Sequence, residues 1–493
     1  MTSSAIPRQG ASLRVLAAVR DRPWPVVVWG AMTVWSVVLF GIVRDGFLHY
    51  RVGRLDLGNM VQAVWSTADG RPLEVTHGAT GEQMTRLGGH VDPFLVLLTP
   101  AWLVWPSPLV LGLMQIVVVS LGALPVFWLA RKHLASEKAA GLLALAYLAY
   151  PWLAVTAAAS IHPVTFAIPL FLFCVWFLDS GRLWPFAICA AVAMSTGELM
   201  GLPIAGLGVW YAVARGRRFT GSAIVLAGAA WTFVAVYVVV RAFSGGDSVF
   251  YGFYDHVGGS PDGLVRTLFT DPGAVVSALF ERHDVIYLIW LGLPLLFLFV
   301  LSPGLALVAI PQLLANTLSD FRSMTDPRYH SIAAVFPFLM AATVFGIARV
   351  RPARHASVVG AILVCSATIA LFVGPWARAI GMTPLGGRES VSAARVEALD
   401  DAIALVPDDA AVTTSNVSGA HLSERRYVYS VPLLHERTTW VVVDRADPWV
   451  VSRDSPILTN HPEIVSAFVA RLEAHPDWRP VFDRAGVVVF RKS

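Results

Sequence analysis

Apolar residues run along this chain in blocks too long and continuous to be the buried faces of soluble helices. The blocks fall at residues 25–43, 93–130, 139–157, 163–178, 183–196, 199–214, 222–243, 285–301, 304–318, 331–347 and 357–375. A helix that crosses a bilayer needs about 20 mostly apolar residues, so each block predicts one span. The block at 93–130 exceeds that length and is punctuated by Trp105-Pro106-Ser107-Pro108. Proline ends a helix there, which predicts a short helix on or dipping into the membrane and then a span. Residues 183–214 divide at Gly197-Glu198 into two short spans. The pattern predicts a polytopic α-helical membrane protein with about eleven transmembrane helices.

Charge orients these spans. Residues 1–24 form a basic leader with Arg8, Arg14, Arg20 and Arg22. Alternate threading puts Arg131, Lys132 and Lys138, then Arg182, then Arg215, Arg217 and Arg218, then Arg349, Arg351 and Arg354 on the leader's side. Short basic connections face the cytoplasm. The expected location is therefore the plasma (inner) membrane, with the N-terminus cytoplasmic, a transmembrane domain over 25–380 and a first external loop over 44–92. An odd number of spans leaves residues 383–493 outside, where the composition becomes that of a soluble protein. Alternating apolar positions predict strands at 411–414, 427–431, 440–444, 479–482 and 487–491, and helical spacing predicts helices at 391–405 and 462–472. The tail reads as a C-terminal external α/β domain. Its Asn416-Val417-Ser418 fits a glycosylation sequon, a pattern frequent by chance.

Of the 493 residues, 56% are hydrophobic and 14% charged, which excludes an ordinary soluble protein. The net charge of +4 comes from the short basic loops, so it is no footprint of a nucleic-acid partner. Cys174, Cys189 and Cys365 lie in apolar blocks without a CxxC or Cys/His spacing, and read as inert thiols. The tail has no glycine-rich phosphate loop, HExxH or GxSxG motif.

Residues able to do chemistry gather in the external connections. The first carries Tyr50, Arg51, Arg54, Asp56, Gln62, Glu74, His77, Arg86, His90 and Asp92. The second carries His162, the third Glu198, and the fifth Asp320, Arg322, Asp326, Arg328, Tyr329 and His330. After Asp56, residues Leu57, Met60, Val61, Val64 and Trp65 recur at helical spacing and predict an interfacial amphipathic helix. Its carboxylate can act as a base or simply cap that helix. His90 follows two glycines, which permit close approach of a ligand, or it is a loop histidine bonded to a carbonyl. His162 and Glu198 interrupt apolar sequence, where an ionisable group is costly unless it pairs or faces a wet cavity. Arg322, Arg328 and His330 suit a phosphate, with snorkelling to headgroups as the plain alternative.

Asp56-Leu57-Gly58-Asn59-Met60-Val61-Gln62-Ala63-Val64-Trp65 resembles the DLGIFDQALW stretch of the DUF2079 family of predicted polytopic membrane proteins. Gly89-His90-Val91-Asp92-Pro93, Pro106-Ser107-Pro108, Gly122-Ala123-Leu124-Pro125, Ile161-His162-Pro163 and Arg328-Tyr329-His330 follow in the family's order. Val406-Pro407-Asp408-Asp409-Ala410 and the segment from Ser415 to Arg426 resemble the start of its soluble domain. The family's architecture is similar to GT-C glycosyltransferases, which take sugars from polyprenyl-phosphate donors on the outer face. The resemblance implies a sugar transfer from a polyprenyl-phosphate lipid to a glycan or other cell-envelope acceptor, with membrane lipids as surroundings. It implies Asp56 as the general base, and Arg54, His90, His162, Glu198, Arg322, Arg328, Tyr329 and His330 around the substrate. Two positions depart from the family: Val61 stands for a second acidic residue, and Gly197-Glu198-Leu199 keeps only the Glu of a Lys-Glu-Asp. No cofactor is implied with certainty, and a divalent metal stays open. A transporter or lipid-handling protein, and a noncatalytic protein that recruits a partner through its tail, are the alternatives. The first would need polar groups near the midplane and often an internal repeat.

Overall fold

Proline and glycine, placed within or beside the apolar blocks, decide where the helices stop. The computed structural model describes residues 23–246, 248–279, 281–379, 391–451 and 458–493. The basic leader with Arg8, Arg14, Arg20 and Arg22 lies outside them, as does the stretch 383–390. The first helix, Pro23–Leu48, carries no charge before Arg44. Val28, Met32, Trp35 and Leu39, three or four residues apart, form its buried stripe, while Trp29, Val34 and Val37 stay exposed on the other side. An apolar exterior of this kind suits hydrocarbon rather than water.

By length and composition the described residues hold four helices able to cross a membrane: Pro23–Leu48, Pro108–Leu134, Arg218–Ser244 and Pro352–Val373. A pair bent by 47°, Glu137–Leu148 and Pro151–Ala158, makes up to five, where the apolar blocks predict about eleven. The other apolar helices are shorter, at 10–17 residues. Local breaks account for this. The block at 285–301 ends its helix at Gly292, ahead of Pro294, and Leu296 and Phe297 then take φ of 50° and 54°. The block at 183–214 does break between its halves, Leu183–Met194 and Gly201–Ala214.

Close packing replaces the hydrophobic effect inside such a bundle. Gly201–Ala214 runs against the helix Arg218–Phe233 with glycines at the contact: a methyl added to Gly201 would meet Gly228 O at 2.2 Å, and one added to Gly208 would meet Gly221 O at 2.7 Å. Buried tyrosines find carbonyls, Tyr147 donating to Val119 O at 2.7 Å and Tyr150 to Leu291 O at 3.0 Å. At one end of the bundle, the fully buried Asp179 carboxylate receives Lys132 at 2.7 Å, His133 at 2.9 Å and Arg215, tying three helices together.

The connection after the first helix folds into the helix Asn59–Ala68 and a hairpin of β1 (Glu74–Thr76) and β2 (Gln83–Thr85). The C-terminal residues form a five-stranded sheet in the order β4 (Val428–Ser430), β3 (Val412–Thr414), β5 (Trp440–Asp444), β9 (Val487–Lys492) and β8 (Trp478–Arg484), and a separate antiparallel pair of β6 (Trp449–Val451) and β7 (Leu458–Asn460). β3 pairs in parallel with β4 and β5, while β5, β9 and β8 pair antiparallel. Side chains alternate between the two faces of a strand. Thus Val442, Val487 and Val489 pack with the helix Ala393–Ala404, and Val441, Val443, Val488 and Phe490 pack with the helix Pro462–Glu473. Tyr50, from the end of the first helix, enters the former core and donates to Asp400 at 2.6 Å.

Candidate active site

Asp56 lies in a π-helical turn, Arg54–Gly58, that leads directly into Asn59–Ala68. Such turns insert an extra residue into a helix and recur at functional sites. Its side chain is exposed, and among the described residues nothing bonds its carboxylate. The cap positions are Gly53 and Gly58, neither of which uses a side chain, so the capping reading of Asp56 fails. The helix itself differs from the expected interfacial one. Met60, Val61, Ala63 and Val64 are buried, and so is Gln62, which accepts from Thr76 N at 2.9 Å and donates to the carbonyls of Arg425 and Arg426 at 3.0 Å. Its polar face is covered by the C-terminal domain rather than by water.

Two histidines from distant blocks meet beside Asp56. The His162 and His330 rings stack at 3.9 Å, and Tyr329 leans on His330 at 3.9 Å. The Asp56 charge reaches both His162 and the Tyr329 hydroxyl. Burial pulls His162 below its ordinary pKa, against the opposing pull of Asp56 and of the Ser160 carbonyl. Burial, then His162 and His90, holds His330 well below the usual imidazole range. Both rings are thus neutral at pH 7. Because a carbonyl can only accept, His162 Nδ1 donates to Ser160 O at 2.8 Å, which leaves the lone pair on Nε2. The His162 backbone N–H is held by Gln115 Oε1 at 3.0 Å. His330 Nδ1 is buried and unbonded among the described residues.

His90 and Glu198 face each other at 3.5 Å, and Glu198 also accepts from Val91 N at 3.2 Å. Burial alone would raise the Glu198 carboxyl, but the hydrogen bond and charge of His90, with backbone N–H donors, outweigh it and hold the carboxyl below its usual range. Beneath them, buried Arg86 and Asp92 form a bidentate pair at 2.8–3.1 Å. Burial pushes the Asp92 carboxyl up although Arg86 and His90 oppose it.

The remaining expected residues divide. Arg322 is exposed and its guanidinium makes no bond to the described residues. Arg328 is bound through Nε and Nη2 to Asp326, at 2.6–3.0 Å, so much of its charge is already answered. Arg54 is not at the site. It is fully buried and donates to Ser430 Oγ at 2.8 Å, Val428 O at 2.6 Å and Thr76 O at 3.0 Å, which removes it from any substrate. Sequence reasoning missed the aromatic residues that join the loops. Ring contacts run from His90 to Phe250 at 4.6 Å, Phe253 at 5.8 Å, Phe321 at 4.9 Å and Tyr329 at 6.1 Å, and so to His330 and His162. This arc links the first loop, the fourth external connection at residues 241–284, the fifth loop and the second. Among the described residues no three His, Cys, Asp or Glu side chains are grouped to hold a metal ion.

The family described as "Predicted membrane protein (DUF2079)" matches residues 48–489. This chain belongs to the DUF2079 family. Among solved structures, this DUF2079 member is similar to ArnT from Cupriavidus metallidurans bound to undecaprenyl phosphate, with a TM-score of 0.51 and 13% identity over 93% of this chain and 97% of that one. It is similar to the same organism's ArnT in the apo state, with a TM-score of 0.50 and 14% identity over 93% and 98% of the two chains. An apo oligosaccharyltransferase from Archaeoglobus fulgidus aligns with a TM-score of 0.47 and 12% identity over 84% and 69%. No curated protein matches the sequence. The fold of this DUF2079 protein is mostly helical and similar to that of ArnT.

Proposed function

We propose that this DUF2079 protein is a GT-C-like membrane glycosyltransferase that moves a sugar from a polyprenyl-phosphate lipid to an envelope acceptor on the outer face. The observation that carries the reading is the Asp56 carboxylate, unbonded among the described residues and presented on a π-turn beside two stacked histidines in an ArnT-like fold. The likeness to a lipid-phosphate-bound ArnT supports the class of donor. The aromatic arc offers ring faces to a sugar or an isoprenoid chain.

In the proposed step the acceptor hydroxyl oxygen attacks the anomeric carbon from the face opposite the phosphate. Asp56 takes the hydroxyl proton, the bond from the anomeric carbon to the phosphate oxygen breaks, and the lipid phosphate leaves with the electron pair. Neutral His162 and His330 supply no charge to that phosphate, and the one N–H of His162 is already given to Ser160 O, so only His330 has a ring N–H to offer. We assign that phosphate to Arg322, which is exposed and whose guanidinium makes no bond to the described residues.

The test is transfer of label from a radiolabelled polyprenyl-phosphate sugar pool by purified protein. Asp56→Asn keeps the shape of the group but cannot take a proton, and turnover should fall by at least about a hundredfold. Equal rates for wild type and variant would remove Asp56 from the mechanism.

A further inference from the structure

The side of the Asp56 turn that faces away from the histidines is held by the C-terminal domain. Leu55 N–H donates to Asn416 Oδ1 at 3.3 Å, and Asn416 opens the short helix Asn416–Gly419 that follows β3. Asn416 is only 6% exposed, so its sequon is closed to modification. The loop it belongs to is fixed from below, since Val417 N–H donates to Asp447 at 2.8 Å and Asp444 N–H donates to Ser415 Oγ at 2.9 Å. Arg54, at the start of the turn, reaches along β4 to Val428 and Ser430. Glycines permit the approach. A methyl on Gly419 would lie 2.5 Å from Arg54 Cβ, one on Gly58 2.4 Å from Ser423 Oγ, and one on Gly53 2.2 Å from Asn416 Nδ2.

The place is informative. The carboxyl ends of β3 and β5, where the chain leaves β3 toward one neighbour and β5 lies on the other side, form the crevice in which open α/β sheets ordinarily bind a ligand. Here the short helix after β3 carries Asn416 and Gly419 against the membrane domain's own π-turn. A π-turn is disfavoured relative to an α-helix and persists where its surroundings hold it.

We propose that the C-terminal domain is a fixed brace for the Asp56 turn, with Asn416 and Arg54 as positioning residues that act through the backbone of Leu55 and the root of the turn. This rests on the reading of Asp56 as the base and adds a role for the domain that does not require it to bind substrate. Asn416→Ala removes the acceptor for Leu55 N–H, whereas Asn416→Asp retains it. Full-length Asn416→Ala should lose about tenfold in kcat, the scale of one hydrogen bond, with donor and acceptor KM within about twofold of wild type. Asn416→Asp should recover most of that loss. Hydrogen exchange of residues 53–59 should rise about tenfold in Asn416→Ala and not in Asn416→Asp, with the strands of the domain unchanged. Wild-type exchange over 53–59 in Asn416→Ala overturns the brace, and so does a loss of protection spread across the whole domain. If the wild type transfers no sugar from any donor, the enzyme reading fails, and the exchange result still decides whether the domain holds the turn.

Discussion

An ionisable side chain in apolar sequence is costly, and that cost made much of the site legible. That cost marked His162 and Glu198, while two glycines marked His90 and the family resemblance marked Tyr329 and His330; in the structure His162, His330 and Tyr329 meet within reach of the Asp56 charge, and His90 faces Glu198. Arg54 was expected at the site from the family resemblance and proved to lie beneath a domain encoded some hundreds of residues later, a contact with no local signature. Phe250, Phe253 and Phe321 were invisible because the chain holds 26 Phe and nothing local marks these three. Arg322 carries the sharpest prediction at this scale. Arg322→Ala should raise the donor KM about tenfold while kcat stays near wild type, because a charge-assisted bond to the lipid phosphate is lost in ground and transition states alike. A fall in kcat alone would place the phosphate elsewhere.

His421 sets a pH dependence. It stacks on Phe47 at 4.0 Å, and burial lowers it from 6.5 to about 4. The unfolded chain therefore binds the proton more readily, so the stabilisation is present above pH 6.5 and disappears as pH falls through 4. The full effect is roughly 3 kcal/mol. Asp447, pushed up by burial to about 6, pulls the opposite way. The quantity to measure is the difference in unfolding free energy between wild type and His421→Phe, which should shrink between pH 6.5 and 4. A difference that does not change with pH would show that His421 is not buried as described.

Elements were legible where a single periodicity governs them. Alternation located the strands at Trp440–Asp444 and Val487–Lys492, because each face has its own helix to bury against. Hydropathy does not weigh a break such as that at Leu296 and Phe297, so it does not show which apolar blocks are continuous helices. It also could not see that Gly201, Gly208, Gly221 and Gly228 form the contact between two helices. Gly228→Ala should destabilise the detergent-solubilised protein by about 1–3 kcal/mol, since the added methyl lies 2.3 Å from the Gly201 carbonyl. Gly30→Ala, with nothing within 4 Å, is the control and should be neutral or slightly stabilising. Equal unfolding midpoints for the two variants would mean that the helices are not in contact there.

For the whole molecule, the distribution of Arg and Lys is the basis of the proposed topology, with the basic connections inside and the α/β domain outside. A cysteine at exposed Ala394 should therefore react with a membrane-impermeant maleimide in intact cells. Labelling only after permeabilisation would reverse the orientation and move the proposed site to the other face. The junction between Arg54 and β4 has a consequence for synthesis as well. The turn bearing Asp56 leaves the ribosome early, whereas Asn416 and Ser430 emerge only after every intervening helix has been made. On the proposed reading, a nascent chain holds the Asp56 base on an unsupported segment until the last domain has been made and has folded. Maturation is thereby tied to completion, and a stalled or clipped product would keep the bundle but not the armed turn.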